Sequence, residues 1–311
     1  MRHPIRLAAT GLAAVLAVSA CGTTDVLHGK SASQIVQLAS TSVNNGSYRM
    51  TMHGTISVDA SSVTGLPPSA VSQISSLLKG ATLDGTADVQ SPQRLRVTMT
   101  MKPVFAKQVV MVLYDGAAYF SEDGGKTFGD AGSFDFSGLP ASPADQVALL
   151  KDLGQTLQDR GSTTRNGVSV EDIHATLNND YVTQLFSKLS AGSGQTSQLF
   201  KQLGPLFAQA VSLKDSTIDA FVGTADGRMQ SSVSNITLSI DMGKLLGALA
   251  QAFGGQAGGA PGLSGVGGAM VLKEDVTATF SDYGAKISIT KPTVDPNAPA
   301  FPGGGGGLFG A

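Results

Sequence analysis

The chain has no tryptophan and a single cysteine, Cys21, in 311 residues. One thiol cannot close an internal disulfide, and with no second cysteine a structural zinc site is not expected. Charged residues are only 14% of the chain and aromatics 6%. Its basic residues form no stripe, which argues against a nucleic-acid partner, and no polybasic patch that would hold an anionic lipid surface. Beyond residue 20 no apolar run reaches the ~18 residues needed to span a bilayer. Enzyme signatures are missing too: there is no G-x-S-x-G elbow, no H-E-x-x-H pair and no Walker loop. We therefore expect no catalytic residues, no metal and no cofactor.

Weaker chemical signals have plain explanations. Ser76-Leu77-Leu78-Lys79 matches the S-x-x-K pattern of penicillin-recognising enzymes but lacks its companion motifs; it reads as the end of a surface helix. His53 and His174 fall in separate strand patterns with no third ligand, and His28 lies in a polar linker. Glu171-Asp172, or Asp84 with Asp88, are carboxylate pairs, but acid–base work depends on geometry that spacing alone does not give. Asn45-Gly46-Ser47 and Asn235-Ile236-Thr237 fit the glycosylation sequon and are given no weight.

What is present begins at the N-terminus. Arg2 and Arg6 precede the apolar run 7–18, and Ser19-Ala20 lead to Cys21. This is the order of a secretory signal, and its apolar run is too short to cross ~30 Å of hydrocarbon. Val18-Ser19-Ala20-Cys21 resembles the bacterial lipobox. That resemblance implies cleavage before Cys21 and acylation of its sulfur, hence an extracytoplasmic protein lipid-anchored to the cell membrane. Two or more acyl chains anchor stably, at ~0.8 kcal/mol per buried CH₂. Removing residues 1–20 takes away two arginines and no acid, leaving 291 residues with 19 basic and 23 acidic, a net charge of −4.

The remainder alternates. In 47–58 Tyr48, Met50, Met52, Ile56 and Val58 oppose Arg49, Thr51, His53, Thr55 and Ser57, the period of a strand with one buried face. Residues 82–89, 94–102, 107–114, 117–121, 167–177, 216–223, 228–241, 271–281 and 285–291 also read as strands, with Asp115-Gly116 and Asp226-Gly227 as hairpin turns. Helical spacing occurs at 31–44, 143–158, 180–190 and 196–211. Strands and helices do not alternate one by one, which predicts α+β with an antiparallel sheet. Segment 22–30 reads as a tether. Segment 254–268 holds eight glycines and reads as a loop.

In order, the chain carries the lipobox, an amphipathic helix, S-Y-R-M-T, Y-F-S-E-D-G-G-K-T-F, G-V-S-V-E-D-I-H-A-T-L, a helical stretch, a D-G hairpin and F-S-D-Y-G-A-K-I-S-I-T-K-P. This resembles the actinobacterial envelope lipoproteins of the LppX/LprAFG type, which share the LolA-like fold. The resemblance implies a curved antiparallel half-barrel with helices covering its concave face, and lipid carriage in the cavity between them. The layout is then 1–20 signal peptide, 21–30 tether, 31–292 one carrier-like domain and 293–311 a disordered Pro/Gly tail. Insertions at 59–80 and 242–269 depart from the family pattern.

A cavity of that kind is expected to be lined by Tyr48, Met50, Met52, Leu95, Val97, Met99 and Met111 from the strands, and by Phe186, Phe200, Leu203 and Phe207 from the helices. Methionine suits a surface that accepts varied apolar partners. The same pattern fits an ordinary packed core, so the alternative is a non-enzymatic surface-binding or envelope-sensing module. The apolar helix at 242–253, followed by the glycine-rich loop, predicts a movable cover. The expected partners are the membrane, through acylated Cys21, and an acyl lipid.

If Cys21 carries the anchor, Cys21→Ala moves the protein from the membrane fraction to the soluble fraction and abolishes labelling by a fatty-acid analogue. Unchanged membrane retention of the variant contradicts the anchor.

Overall fold

The computed structural model describes residues 25–44, 46–104, 107–133, 156–191, 195–252 and 265–298. Eleven strands run in chain order: β1 Tyr48–Asp59, β2 Ala81–Ser91, β3 Arg94–Lys102, β4 Val109–Tyr114, β5 Ala117–Ser121, β6 Gly129–Ser133, β7 Leu157–Arg165, β8 Val168–Leu177, β9 Val211–Gly223, β10 Met229–Asp241 and β11 Ala269–Ser281. They form one antiparallel sheet ordered β6-β5-β4-β3-β2-β1-β11-β10-β9-β8-β7. Sequence neighbours are spatial neighbours except at β1 and β11. Two meanders, β1–β6 and β7–β11, are therefore joined by one ladder running from Arg49 opposite Ser281 to Asp59 opposite Val271. β6 and β7 are the two edges, so the sheet is not closed.

Among the described residues five helices accompany it: α1 Ala32–Asn44, α2 Pro68–Leu78, α3 Asn179–Ala191, α4 Gln195–Ala210 and α5 Met242–Ala252. The architecture is the expected α+β half-barrel: a large open antiparallel sheet with helices over its concave face. Local chemistry sets the boundaries. Ser31 and Gln34 cap α1 reciprocally: the Ser31 amide donates to Gln34 Oε1 at 2.9 Å and the Gln34 amide to Ser31 Oγ at 3.4 Å. Asn178 Oδ1 caps α3, accepting from the Asp180 amide at 2.9 Å. Asp115-Gly116 and Asn166-Gly167 adopt positive φ at both residues, the hairpin turn whose twist matches the flanking strands.

Four expectations need correction. Residues 143–155 of the expected helix lie outside the described residues, but Leu157 and Gln158 open β7. That strand, LQDRGSTTR, is a polar sheet edge without alternation, so only the Asn166-Gly167 turn betrays it. Segment 285–291 is not a strand. Both flanks of β11 are already occupied, by β1 and β10, so the chain leaving Ser281 has no free edge to join. It crosses the outer face instead, where Ile287 and Ile289 pack with Val110, Val112, Tyr119 and Phe128. The Ile289 amide donates to Gln90 Oε1 at 3.0 Å and the Asp295 amide to the Phe128 carbonyl at 2.8 Å. This strap extends to Ala298, into the segment expected to be disordered; 299–311 lie outside the described residues. The tether is docked as well. Leu27 is buried in the main core, and the Val26 amide donates to the Thr224 carbonyl at 2.9 Å.

The core sits under α1. Ile35, Val36, Ala39 and Val43 turn inward and meet Tyr48, Met50, Val89, Leu95, Leu113, Ile173, Ala220, Val222, Met229 and Phe280. Each large apolar side chain so buried contributes ~1.5–3 kcal/mol.

Gly54 of β1 lies where β1 and β11 approach most tightly: a Cβ there would collide with the Asp275 carbonyl and Val276. Gly54→Val should therefore destabilise the domain by ~1–3 kcal/mol, seen as a lower melting temperature. Gly247→Ala in α5, where a Cβ meets nothing within 4 Å, should leave the melting temperature unchanged or raise it.

Candidate binding site on the concave face

Strand register places one set of side chains under the helices. Successive rows across the sheet read Met111, Val97, Ala87, Met50, Phe280, then Val109, Met99, Gly85, Met52, Ala278, Ser232, Ala220, Ile173, then Met101, Leu83, Gly54, Val276, Ser234, Ile218, Ala175. Glycine, alanine and serine occupy the middle of these rows, so the sheet surface is shallow there and its larger side chains stand around it.

The face divides into two zones. At the α1 end it is sealed: Tyr48 is 3% exposed, Met50 6% and Leu95 8%. Tyr48 also stacks near Phe280 and Tyr283, with ring centroids 5.8 and 5.9 Å away. The Tyr283 hydroxyl donates to the Met229 carbonyl at 2.6 Å, and burial pushes its pKa well above the usual phenol range. At the other end Ile56, Leu83, Met99, Met101, Leu272, Val276 and Leu238 are only half-buried. None of these seven belongs to the buried clusters. Helices α3 and α4 touch β9 and α5 touches β10. The result is an apolar far end of the face, the hollow, whose side chains keep accessible surface.

The structure thus separates the expected lining set. Tyr48, Met50 and Leu95 serve the sealed core. Met52, Val97 and Met111 pack against that core while remaining half-buried, and Met99 faces the hollow. Phe207 of α4 is half-buried. Phe186 lies on α3 and Phe200 and Leu203 on α4, with side chains outside the described set. Cys21 lies outside the described residues.

Sequence reading missed the polar group in this wall. Glu274 shares the phase of Leu272, Val276, Ala278 and Phe280, and lies between Ile56 of β1 and Ile236 of β10. Its side chain is half-buried, and among the described residues none hydrogen-bonds or ion-pairs with it. Burial, then the neighbouring Asp275, raises its pKa above the usual carboxylate range. Tyr181 of α3 is buried in the main core. Burial first, then the charge of Glu274, pushes its phenol up to about 12.

The two insertions clasp each other. The Thr64 amide donates to the Gly267 carbonyl at 2.9 Å, the Gly267 amide returns to Thr64 at 3.1 Å, and the Met242 amide reaches the Gly268 carbonyl at 3.0 Å. Ala60, Val63 and Val266 form a small core with Leu66, Val71, Met242, Leu246 and Met270 around it. The Lys244 amide caps α5 on Asp241 Oδ1 at 3.0 Å. A polar cleft of about 430 Å³ lies at this rim, lined in part by Ser212, Lys214, Ser239, Asp241 and Lys244.

Other titratable groups lie on the convex side. His174 Nδ1 is 2.6 Å from Asp219 Oδ1, which also meets Arg160 at 3.3 Å. Nearby, burial and then Asp219 raise the pKa of Asp172, one oxygen of which has no partner. His53 pairs with Asp84 at 2.6 Å on the other wing of the sheet and is exposed. The two histidines share no site, and among the described residues no cluster is placed to hold a metal. The Ser76 hydroxyl donates to the Gln73 carbonyl of its own helix at 3.0 Å, and Lys79 is exposed.

No family model and no curated protein matches the chain. Among solved structures it is similar to the lipoprotein LprF from Mycobacterium bovis, at 11% identity and a TM-score of 0.39, covering 84% of this chain and 96% of that one. It is similar to the lipoprotein LppX from Mycobacterium tuberculosis, at 12% identity and 0.39, covering 83% and 98%. A LolA-superfamily protein from Nitrosomonas europaea is similar at 8% identity and 0.27, covering 84% and 97%.

Glu274 yields a pH prediction. Its folded pKa lies above the unfolded value, so the folded state binds the proton more tightly and stability is lost as pH rises through that interval. Glu274→Gln should accordingly raise urea resistance at pH 7 relative to the parent, and the advantage should vanish below pH ~4. An equal advantage at both pH values contradicts the burial of an ionisable group.

Proposed function

We propose that the chain is a non-enzymatic envelope lipoprotein, anchored by acylated Cys21 outside the cytoplasm, that binds or carries an acylated lipid between sheet and helices. The observation that carries this reading is the unequal burial of one continuous apolar face. Its α1 end is packed as protein interiors are. Its far end leaves seven large apolar side chains only half-buried. Water is a poor filler for such a wall, and an acyl chain is a good one. A sixteen-carbon chain gains up to ~12 kcal/mol on burial, at ~0.8 kcal/mol per CH₂. So strong a hold requires an opening for release. The Thr64–Gly267 clasp between two insertions is the feature suited to open, because only a few backbone hydrogen bonds and a small core fasten it.

On this reading the anchor and the hollow belong to opposite ends of the sheet. Residue 25 begins the segment docked beside the β9–β10 turn, at the sealed end. Cys21 is four positions earlier in the chain, a reach of at most ~14 Å. An acylated Cys21 would hold the closed end near the membrane and leave the clasped end facing away from it, the orientation for passing a lipid onward.

The test is native mass spectrometry of protein purified from membranes in mild detergent, on the parent and two variants. Met99→Trp, in the hollow, should lower lipid occupancy and leave the melting temperature nearly unchanged. Met50→Trp, in the sealed core, should lower the melting temperature by overpacking worth ~1–3 kcal/mol. A clean lipid-free mass for the parent, together with a large loss of stability in Met99→Trp, means that the interior is fully packed and that the chain is a surface-binding module.

A further inference from the structure

The end of the sheet that carries the tether is not a plain polar rim. Among the described residues three large apolar side chains are exposed: Val26 at 36%, Val168 at 41% and Val294 at 37%. Scattered singly they would need no explanation, but two of them meet at this end. Val26 lies in the tether, and its amide donates to the Thr224 carbonyl at 2.9 Å. The Thr224 amide donates in turn to the carbonyl of Ser169, the neighbour of Val168, at 3.0 Å. Thr224 belongs to the β9–β10 turn and Val168 follows the Asn166-Gly167 turn, so two hairpin tips and the tether form one surface. The tether is held to that surface at several points. Asp25 Oδ1 accepts from the Leu27 amide at 2.9 Å, and the Leu27 side chain is 4% exposed in the main core. The Lys30 amide donates to the Leu27 carbonyl at 3.0 Å. Gly227, at φ 67° and without a Cβ, leaves room for Leu38 and Val26 against the turn.

We infer that this surface, with Val26 and Val168 at its centre and Lys30 and Arg165 beside them, rests on the headgroups of the lipid bilayer that holds the anchor. This rests on the acylated Cys21 of the reading above and adds to it a second, non-covalent contact that seats the domain on the membrane. The acyl chains of Cys21 start at the boundary between hydrocarbon and headgroups, and the headgroup layer is ~5–7 Å thick on each side. Residue 25 is already docked, so this end of the sheet is kept within ~14 Å of the attachment point. The charges suit a lipid surface. Lys30 and Arg165 are exposed and make no ion pair among the described residues. The Arg165 guanidinium lies 3.5 Å over the Phe221 ring, and such a long side chain can stretch to lipid phosphates while its stem covers apolar surface. Asp226 is matched by Arg228 at 3.8 Å, which leaves Asp25 against two cations. Two valines and two cations are too few to hold a protein to a bilayer by themselves. A covalent anchor four positions from residue 25 turns the contact into an intramolecular one, and a weak contact is then well populated.

The test uses protein purified from membranes with its acyl groups and reconstituted on vesicles of phosphatidylcholine and phosphatidylglycerol. Acylation blocks the Cys21 sulfur, so Val168→Cys supplies the only free thiol and takes a thiol-reactive NBD dye. Val294→Cys carries the same dye on the strap, where Val294 bridges to Phe128 on the outer face, and serves as an equally exposed reference. Phosphatidylcholine bearing a nitroxide should quench the Val168 dye, whose emission should shift to shorter wavelength. The Val294 dye should keep the spectrum it has in water. Val26→Asp added to Val168→Cys should bring quenching down toward the Val294 level, with circular dichroism showing an unchanged fold. Flotation with the vesicles reads the anchor separately. Quenching at Val168 no greater than at Val294, in protein that floats, overturns the seating and leaves the anchor intact. A Val168 dye shielded from water but not quenched by the nitroxide also overturns it, in favour of a protein contact at this end. Protein that does not float overturns the anchor and the seating together.

Discussion

The apolar side of a large antiparallel sheet must be hidden from water, and here the helices hide only one end of it completely. The proposed function rests on that mismatch. Eleven strands present more apolar surface than α1 can cover, and α1 spends its inward face on the end where Tyr48, Met50, Leu95 and Met229 meet it. The far end, from Ile56 and Leu83 to Val276 and Leu238, is only half-buried. Burial of apolar area is the main force holding the fold, and an incompletely buried face is a standing demand for another apolar group.

The ladder between β1 and β11 makes the rest of the frame rigid. It is the one pairing between strands that are not consecutive in sequence, and the two terminal segments pack elsewhere on the sheet. Residues 25–30 dock at the β9–β10 turn, and 285–298 strap the outer face of β4–β6. The two insertions, by contrast, meet through a short pair of backbone hydrogen bonds at Thr64 and Gly267. Segments held by few buried contacts open first. The distribution of stability therefore matches a rigid cup with a loose rim.

Much of the frame was legible in the sequence, because a strand with one buried face must alternate. Residues 48–59 and 94–102 do so without interruption, and Asp115-Gly116 leaves little choice of turn. β7 was not legible, since an edge strand exposed on both sides has no reason to alternate. The strap at 285–291 was misread as a strand because its composition is strand-like; whether a sheet edge is free to receive it is a property of the assembled fold. The candidate site was legible only in part. Met50 and Met99 lie on the same face in the same phase, and only the landing place of α1 decides that one is core and the other wall. Glu274 carried a signal that went unused: an acid in register with Leu272, Val276, Ala278 and Phe280. The clasp could not be read at all, because Thr64 and Gly267 are far apart in sequence and lie in segments without pattern.

The most direct test of the account is methyl NMR of the protein labelled at its methionine methyl groups, titrated with an acyl lipid that carries a nitroxide on its chain. Met50 and Met229 lie in the sealed core, whereas Met52, Met99 and Met101 lie toward or within the hollow. The account predicts strong broadening of Met99 and Met101, weaker broadening of Met52, and sharp resonances for Met50 and Met229. Uniformly sharp methionine resonances at saturating lipid would contradict it.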